Sequence, residues 1–299
     1  MTLDRDRVKL GITPTLWWND DFPLIDIGIP YEQCLSEMAL AGFEGCSIGH
    51  KYPSDVGELK RALDLRGLSV SEPWASTFFT INDMEEQTLR TFHEQMEIMK
   101  ALGGSEMVVA ELGRAVHQQP VPVFAHRPTL DEGQWDALAG GLNRLGQIAK
   151  DNGMRLCYHH HMGTCVMVRS DVDRLMDSTD PELVNLLLDT AHLAFAGDDP
   201  LALAEAHGKR IKHVHLKDVR PEVVEQARAN AWSFQDAIEA GVFTVPGDGA
   251  IDFARIFDAL SDGDFEGWIV VEAEQDPAKA YPLEYALKAR THLREVLGW

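Results

Sequence analysis

Five times along this chain a stretch of helical periodicity runs into a glycine and then into a short apolar segment. Ala41-Gly42-Phe43 leads to Gly45-Cys46-Ser47-Ile48, Arg66-Gly67 to Leu68-Ser69-Val70, and Leu102-Gly103-Gly104 to Met107-Val108-Val109-Ala110. Asn152-Gly153 leads to Met154-Arg155-Leu156-Cys157-Tyr158, and Phe265-Glu266-Gly267 to Trp268-Ile269-Val270-Val271. Glycine adopts the left-handed conformation that ends helices, so each unit reads helix, cap, strand. The stretches before the glycines carry the matching period: Cys34, Leu35 and Met38 within 31–40, and Leu138, Leu142, Leu145 and Ile148 within 138–149. Strands alternating with helices imply parallel pairing through right-handed crossovers. Eight strands are predicted, near 8–13, 44–48, 68–73, 106–111, 154–160, 184–189, 211–216 and 267–273. Eight such units in 299 residues predict an α/β fold of one closed (β/α)8 TIM barrel, a single domain over 1–299. No GxGxxG follows the first strand, which weighs against an open dinucleotide-binding sheet. Two stretches, 118–132 and 218–250, are longer than ordinary connections and would lie on the catalytic face.

Composition narrows the class further. A hydrophobic fraction of 45% fills a sizeable core, and no apolar run reaches membrane-spanning length. The charged start, Met1-Thr2-Leu3-Asp4-Arg5-Asp6-Arg7, does not read as a signal peptide, and Cys34, Cys46, Cys157 and Cys165 lack CxxC spacing. A cytoplasmic protein with reduced thiols is expected. A formal charge of −21 repels phosphate backbones and anionic lipid, so neither nucleic acid nor membrane is an expected partner.

In a (β/α)8 barrel the reactive groups come from the C-terminal ends of the strands and the loops that follow. The fifth to eighth predicted strands deliver His159, Asp189, His215 and Glu272 there. Two carboxylates with two neutral imidazoles match a divalent cation. That donor mixture suits manganese, cobalt, zinc or iron rather than calcium, and such an ion polarises a carbonyl. Strand alternation puts His159 and His161 on one face and His160 on the other. Asp189 reads equally as the N-cap of a helix starting at Thr190, and His213 as a core histidine. Glu272 on a buried strand is harder to explain structurally, because an unpaired buried carboxylate is costly. Lys217 shares parity with His215, Glu274 shares parity with Glu272, and His192 lies three residues past Asp189; with His161 these are the candidate acids and bases. Val245-Pro246-Gly247-Asp248-Gly249-Ala250-Ile251-Asp252 reads as a tight glycine loop entering a helix, either a plain turn or a substrate loop.

Leu188-Asp189-Thr190-Ala191-His192, His213-Val214-His215-Leu216-Lys217-Asp218 and Val270-Val271-Glu272 resemble the metal-binding strand ends of the xylose isomerase-like barrels, a superfamily that includes endonuclease IV. Within it the chain is similar to the myo-inosose (2-keto-myo-inositol) dehydratases over nearly its whole length. The motifs that carry this are the segment 32–43, Tyr158-His159-His160-His161-Met162-Gly163-Thr164, the segment 241–249 and Glu272-Ala273-Glu274-Gln275-Asp276-Pro277. The resemblance implies dehydration of a small keto-polyol, scyllo-inosose, to a trihydroxycyclohexane-1,2-dione in inositol catabolism. It implies a metal, manganese or cobalt foremost, on His159, Asp189, His215 and Glu272. For that reaction strand parity makes His161 or Lys217 the candidate base and His192 or Glu274 the candidate acid. The resemblance leaves open glutathione as a further cofactor, a homo-oligomer, and an isomerase or epimerase using the same metal-enediolate chemistry. Two positions depart from the pattern. His159 stands where most of the superfamily has glutamate, and the segment 70–76 has Ala75 where a histidine is usual.

Overall fold

The computed structural model describes residues 3–299. Met1 and Thr2, which open the charged start, lie outside the described residues. The strands are β1 (Val8–Ile12), β2 (Gly45–Cys46), β3 (Ser69–Val70), β4 (Trp74–Thr77), β5 (Glu106–Glu111), β6 (Arg155–His159), β7 (Val184–Asp189), β8 (Ile211–Leu216), β9 (Asp218–Val219), β10 (Phe243–Thr244) and β11 (Gly267–Val271). Nine of them form one parallel sheet in the order β3-β2-β1-β11-β8-β7-β6-β5-β4. Its two ends, β3 and β4, are consecutive pieces of one extended segment, so the sheet curls into a barrel.

Every predicted strand is present, and the third is longer than expected and broken. Pro73 has no N–H to give to a ladder, which interrupts the strand at Ser71-Glu72-Pro73. Pairing continues on the β2 side through Ser71 N–H to the Cys46 carbonyl (2.9 Å) and Ile48 N–H to the Glu72 carbonyl (3.0 Å). The chain then passes to β5, with Trp74 opposite Val108 and Thr77 opposite Glu111.

Two of the predicted glycine caps form directly at a helix end, whereas Gly267 opens β11 and the helix before it, Phe253–Asp262, ends at Gly263. Gly42 ends the helix Tyr31–Ala41 at φ 89°, and Gly103 ends Glu85–Leu102 at φ 81°. Alternate strand residues, among them Leu156, Tyr158, Leu186, Leu188, Val214 and Ile269, are buried in the core shared with the helices, each such side chain contributing about 1.5–3 kcal/mol. The opposite parity points into the barrel, where Val108, Cys157 and Leu187 make a small apolar layer. At the base, Trp268 fills the interior. A Cβ on Gly45 would come within 2.5 Å of its ring, so only glycine fits there.

Of the two long excursions, the one near 118–132 holds one short helix, Val123–His126. The other, 218–250, closes on itself: β9 pairs antiparallel with β10, and helices Pro221–Ala229 and Phe234–Glu239 lie between them. It supplies Phe234 and Phe243 to a second apolar cluster with Phe195 and Met162. Among the described residues no helix is long and apolar enough to cross a membrane.

Candidate metal centre and active site

His159, Asp189 and His215 end or nearly end β6, β7 and β8, and Glu272 follows β11 directly. Their ligand atoms lie within 4.8 Å of one another, and all four residues are buried. His159 Nε2 is 3.2 Å from His215 Nδ1 and 3.7 Å from Asp189 Oδ2. His215 Nδ1 is 2.5 Å from Glu272 Oε2 and 3.9 Å from Asp189 Oδ2. Asp189 Oδ2 and Glu272 Oε2 are buried without a hydrogen bond. Buried carboxylates are costly unless matched by positive charge, and beside Lys217 this cluster could hold a cation as well. Two carboxylate oxygens and two ring nitrogens at these spacings fit one transition ion with bonds of about 2.0–2.2 Å.

The N-cap reading of Asp189 is realised on one oxygen, which leaves the other to the ligand cluster. Oδ1 caps the helix Thr190–Ala196, accepting the N–H groups of Ala191 (3.0 Å) and His192 (2.8 Å), while Oδ2 faces the ligand cluster. His160 points away, as strand alternation predicts. Its Nε2 accepts the Asp189 N–H at 3.2 Å.

Beside the ligand cluster lies a second group. Lys217 Nζ donates to Glu274 Oε2 (2.8 Å) and His192 Nε2 (3.0 Å) and lies 3.4 Å from Asp189 and 3.3 Å from Glu272. Burial alone would neutralise this amine, but Asp189, Glu272 and Glu274 together raise it above the usual lysine range and keep it cationic. Burial pushes Glu274 up to about 8, against the pull of Lys217. Burial also holds His161 and His192 well below the usual imidazole range, with His117, His159 and Lys217 adding to the effect on His161, and His161, Lys217 and His159 adding to it on His192. The excursion 218–250 builds part of this dry wall: the Phe234 ring lies 5.6 Å from His161 and 5.9 Å from His192, and Phe243 lies under Lys217 Nζ at 4.9 Å. His161 Nδ1 donates to the Met162 carbonyl at 2.9 Å, which leaves Nε2 as its free basic atom.

A cleft of about 270 Å³ opens over His159, His161, His215, Glu272 and Glu274. Three of its residues escape a reading based on strand ends. Trp74 stands over His159 and His161, with ring centres 5.6 and 6.0 Å away. His117, just ahead of the first excursion, lies 5.1 Å from His161. Glu72 sits inside the barrel at 2% exposure. Like Glu272, Glu72 is a buried carboxylate of the barrel wall. Glu111, by contrast, is spent on structure: it accepts from Thr77, Thr80 and the N–H groups of Phe79 and Gly113. The glycine loop after β10 is held by Asp218, which accepts the N–H groups of Gly247, Gly249 and Ile251.

A closed barrel with His, Asp, His and Glu converging at its mouth defines a class, and sequence comparison agrees: residues 28–296 match the xylose isomerase-like TIM barrel family. The chain belongs to that family. Within it, the chain is 51% identical over 294 residues to the inosose dehydratase of Geobacillus thermodenitrificans (strain NG80-2), covering 98% of both chains. It is 48% identical, with the same coverage, to the inosose dehydratase of Bacillus cereus (strain AH820). These identities make it a member of the inosose dehydratase family. Among solved structures, the IOLI protein with a bound zinc atom superposes with a TM-score of 0.70 at 19% identity, over 97% of this chain and 98% of that one.

Proposed function

We propose that this chain is a metal-dependent hydro-lyase that removes water from 2-keto-myo-inositol (scyllo-inosose) to give a trihydroxycyclohexane-1,2-dione in inositol catabolism. The inosose dehydratases at 48–51% identity support the reaction. The observation that supports the metal requirement is the convergence of two buried carboxylate oxygens, Asp189 Oδ2 and Glu272 Oε2, with His159 and His215. Manganese or cobalt on these four residues would supply Lewis-acid polarisation of the ketone.

The chain's own residues divide the proton work. His161 is the base: its ring is neutral and its Nε2 is free to take the proton from the carbon next to the ketone. Lys217, a candidate base by strand parity, is instead a fixed positive charge that stabilises the developing enolate oxygen, because an amine held protonated beside Asp189 and Glu272 cannot accept a proton. Glu274 holds a proton at neutral pH and delivers it to the departing β-hydroxyl. His192 is not the acid, since it is neutral and its Nε2 accepts from Lys217. Loss of the C–H proton and of hydroxide as water leaves an enol, which tautomerises to the diketone. Trp74 and the phenylalanine wall keep the site dry, strengthening each of these interactions.

The test is mass spectrometry of products from a panel of inososes, with manganese, with cobalt, after chelation, and with or without glutathione. The expected product is 18 mass units lighter than the substrate, as loss of water requires. A product of unchanged mass would make the enzyme an isomerase or epimerase, and full turnover after chelation would remove the metal.

A further inference from the structure

The interior of this barrel carries a row of charge that the reaction above does not use. Glu72 Oε1 accepts from His215 Nε2 at 3.2 Å, and Glu72 Oε2 faces His213 Nε2 at 3.4 Å. His213 Nδ1 meets Glu106 Oε2 at 2.5 Å, and Glu106 Oε1 accepts from Arg155 Nη2 at 2.6 Å. Arg155 then reaches Glu266 (3.1 Å), and Glu266 reaches Arg7 (3.2 Å) at the opposite end of the barrel. The row runs from the mouth to the base. Charges in a barrel interior cost several kcal/mol each unless paired, and apolar side chains of the same size would fill the space more cheaply. Alternating sign makes the row tolerable but does not explain why it ends on His215.

The end point supplies the explanation. A carboxylate only accepts hydrogen bonds, so Glu72 fixes the proton of His215 on Nε2 and holds the ring by that edge. The other edge, Nδ1, is thereby aimed at Glu272 Oε2, His159 Nε2 and Asp189 Oδ2. We infer that Glu72 is a positioning residue for the metal ligand His215, held in turn by the row of buried His213, buried Glu106 and half-buried Arg155. This rests on the metal reading above and deepens it. A hydrogen bond from the far nitrogen of a ligating imidazole to a carboxylate fixes the ring orientation and makes the near nitrogen a better donor, typically by 10–100-fold in metal affinity.

The test is a titration of chelated, full-length protein with cobalt(II), reading both Kd and the visible ligand-field bands for the parent, Glu72→Ala and Glu72→Gln. Glu72→Ala is expected to weaken cobalt binding about 10–100-fold, with the band positions kept because the ligand set is unchanged. Glu72→Gln, whose amide oxygen still accepts from Nε2, is expected to recover part of that loss. Parent-like affinity in Glu72→Ala would overturn the inference. So would glutamine behaving like alanine together with shifted bands, which would make Glu72 a ligand itself. If Glu72→Ala does not fold, Glu72→Gln decides: a measurable weakening with unchanged bands sustains the inference, and parent affinity overturns it. A parent that takes up no cobalt would instead bring down the metal reading, and this inference with it.

Discussion

Asp189 caps the helix that carries His192: its Oδ1 accepts the His192 N–H at 2.8 Å, while its Oδ2 stays free beside His159 and His215. One carboxylate thus locks the start of the helix Thr190–Ala196 to the end of β7 and offers a ligand atom to a cation. The two tasks separate by substitution. Asp189→Asn keeps an oxygen for the cap and loses the charge, so it should fold with near-parent stability and bind metal poorly. Asp189→Ala loses both, at a further cost of about 1 kcal/mol. Denaturant melts of the chelated proteins, together with metal content, check this. Equal metal loading in Asp189→Asn and the parent would remove Asp189 from the ligand set.

Lys217 Nζ lies within 3.4 Å of three carboxyl groups, those of Asp189, Glu272 and Glu274. Lys217→Met fills much of the same volume but leaves those carboxylates facing one another in a buried site. Breaking a buried charge set by removing one partner costs about 3–5 kcal/mol. The variant without metal should be destabilised by that order, and a divalent ion should restore much of the loss by supplying the missing positive charge. Urea melts with and without manganese measure both effects. If metal stabilises the variant no more than the parent, the lysine and the ion do not compensate the same charges.

The barrel and the clustering of His159, Asp189, His215 and Glu272 are legible in the sequence because both rest on local patterns. Each glycine cap and apolar run lies within a few residues, and His159, Asp189, His215 and Glu272 each stand at the end of such a run. The helix-cap reading and the ligand reading of Asp189 looked like alternatives only because sequence pattern treats a residue as one unit, whereas the carboxylate has two oxygens. The break at Pro73 was visible as a proline, but its consequence was not: a strand that pairs first with β2 and then with β5. The charged row was hidden for a different reason. Glu72 meets its partner His215 across 143 residues of sequence and Glu106 meets His213 across 107, so neither carboxylate has a local signature. Likewise Phe234 and Phe243 in the long excursion become a wall of the site only once β9 and β10 pair.

Asp248 gives a test away from the chemistry. It accepts from Arg220 (2.6 Å), Thr244 (2.7 Å) and Lys288 (2.5 Å), pinning the glycine loop to the last helix. Partial burial acts against its ionised form, but Lys288, Thr244 and Arg220 prevail and hold the carboxyl below its ordinary value. A depressed carboxyl stabilises the fold fully above the unfolded value of about 3.9, and that contribution is lost as pH falls through the folded value. Asp248→Asn should therefore cost about 1–2 kcal/mol at pH 7 and progressively less toward pH 3. Denaturant melts of both proteins across that range read the difference. A gap that stays constant with pH would mean that the loop is held by packing rather than by this charge.

The division of labour between His161 and Glu274 predicts where label enters the product. Dehydration carried out in deuterium oxide should place deuterium in the new methylene, because tautomerising the enol takes a proton from solvent. His161→Ala lacks the base, so C–H cleavage should fail while metal binding is retained, since the ligands are other side chains. The expected loss is about 10²–10⁴-fold in turnover, typical for removal of a general base. Glu274→Gln keeps the base but lacks the acid. In that variant the substrate should still exchange its α-hydrogen with solvent, while loss of water is slowed. Measuring exchange, elimination and bound metal in both variants separates the roles. Rapid α-exchange in His161→Ala would assign the base elsewhere, and elimination at the parent rate in Glu274→Gln would release Glu274 from the acid role.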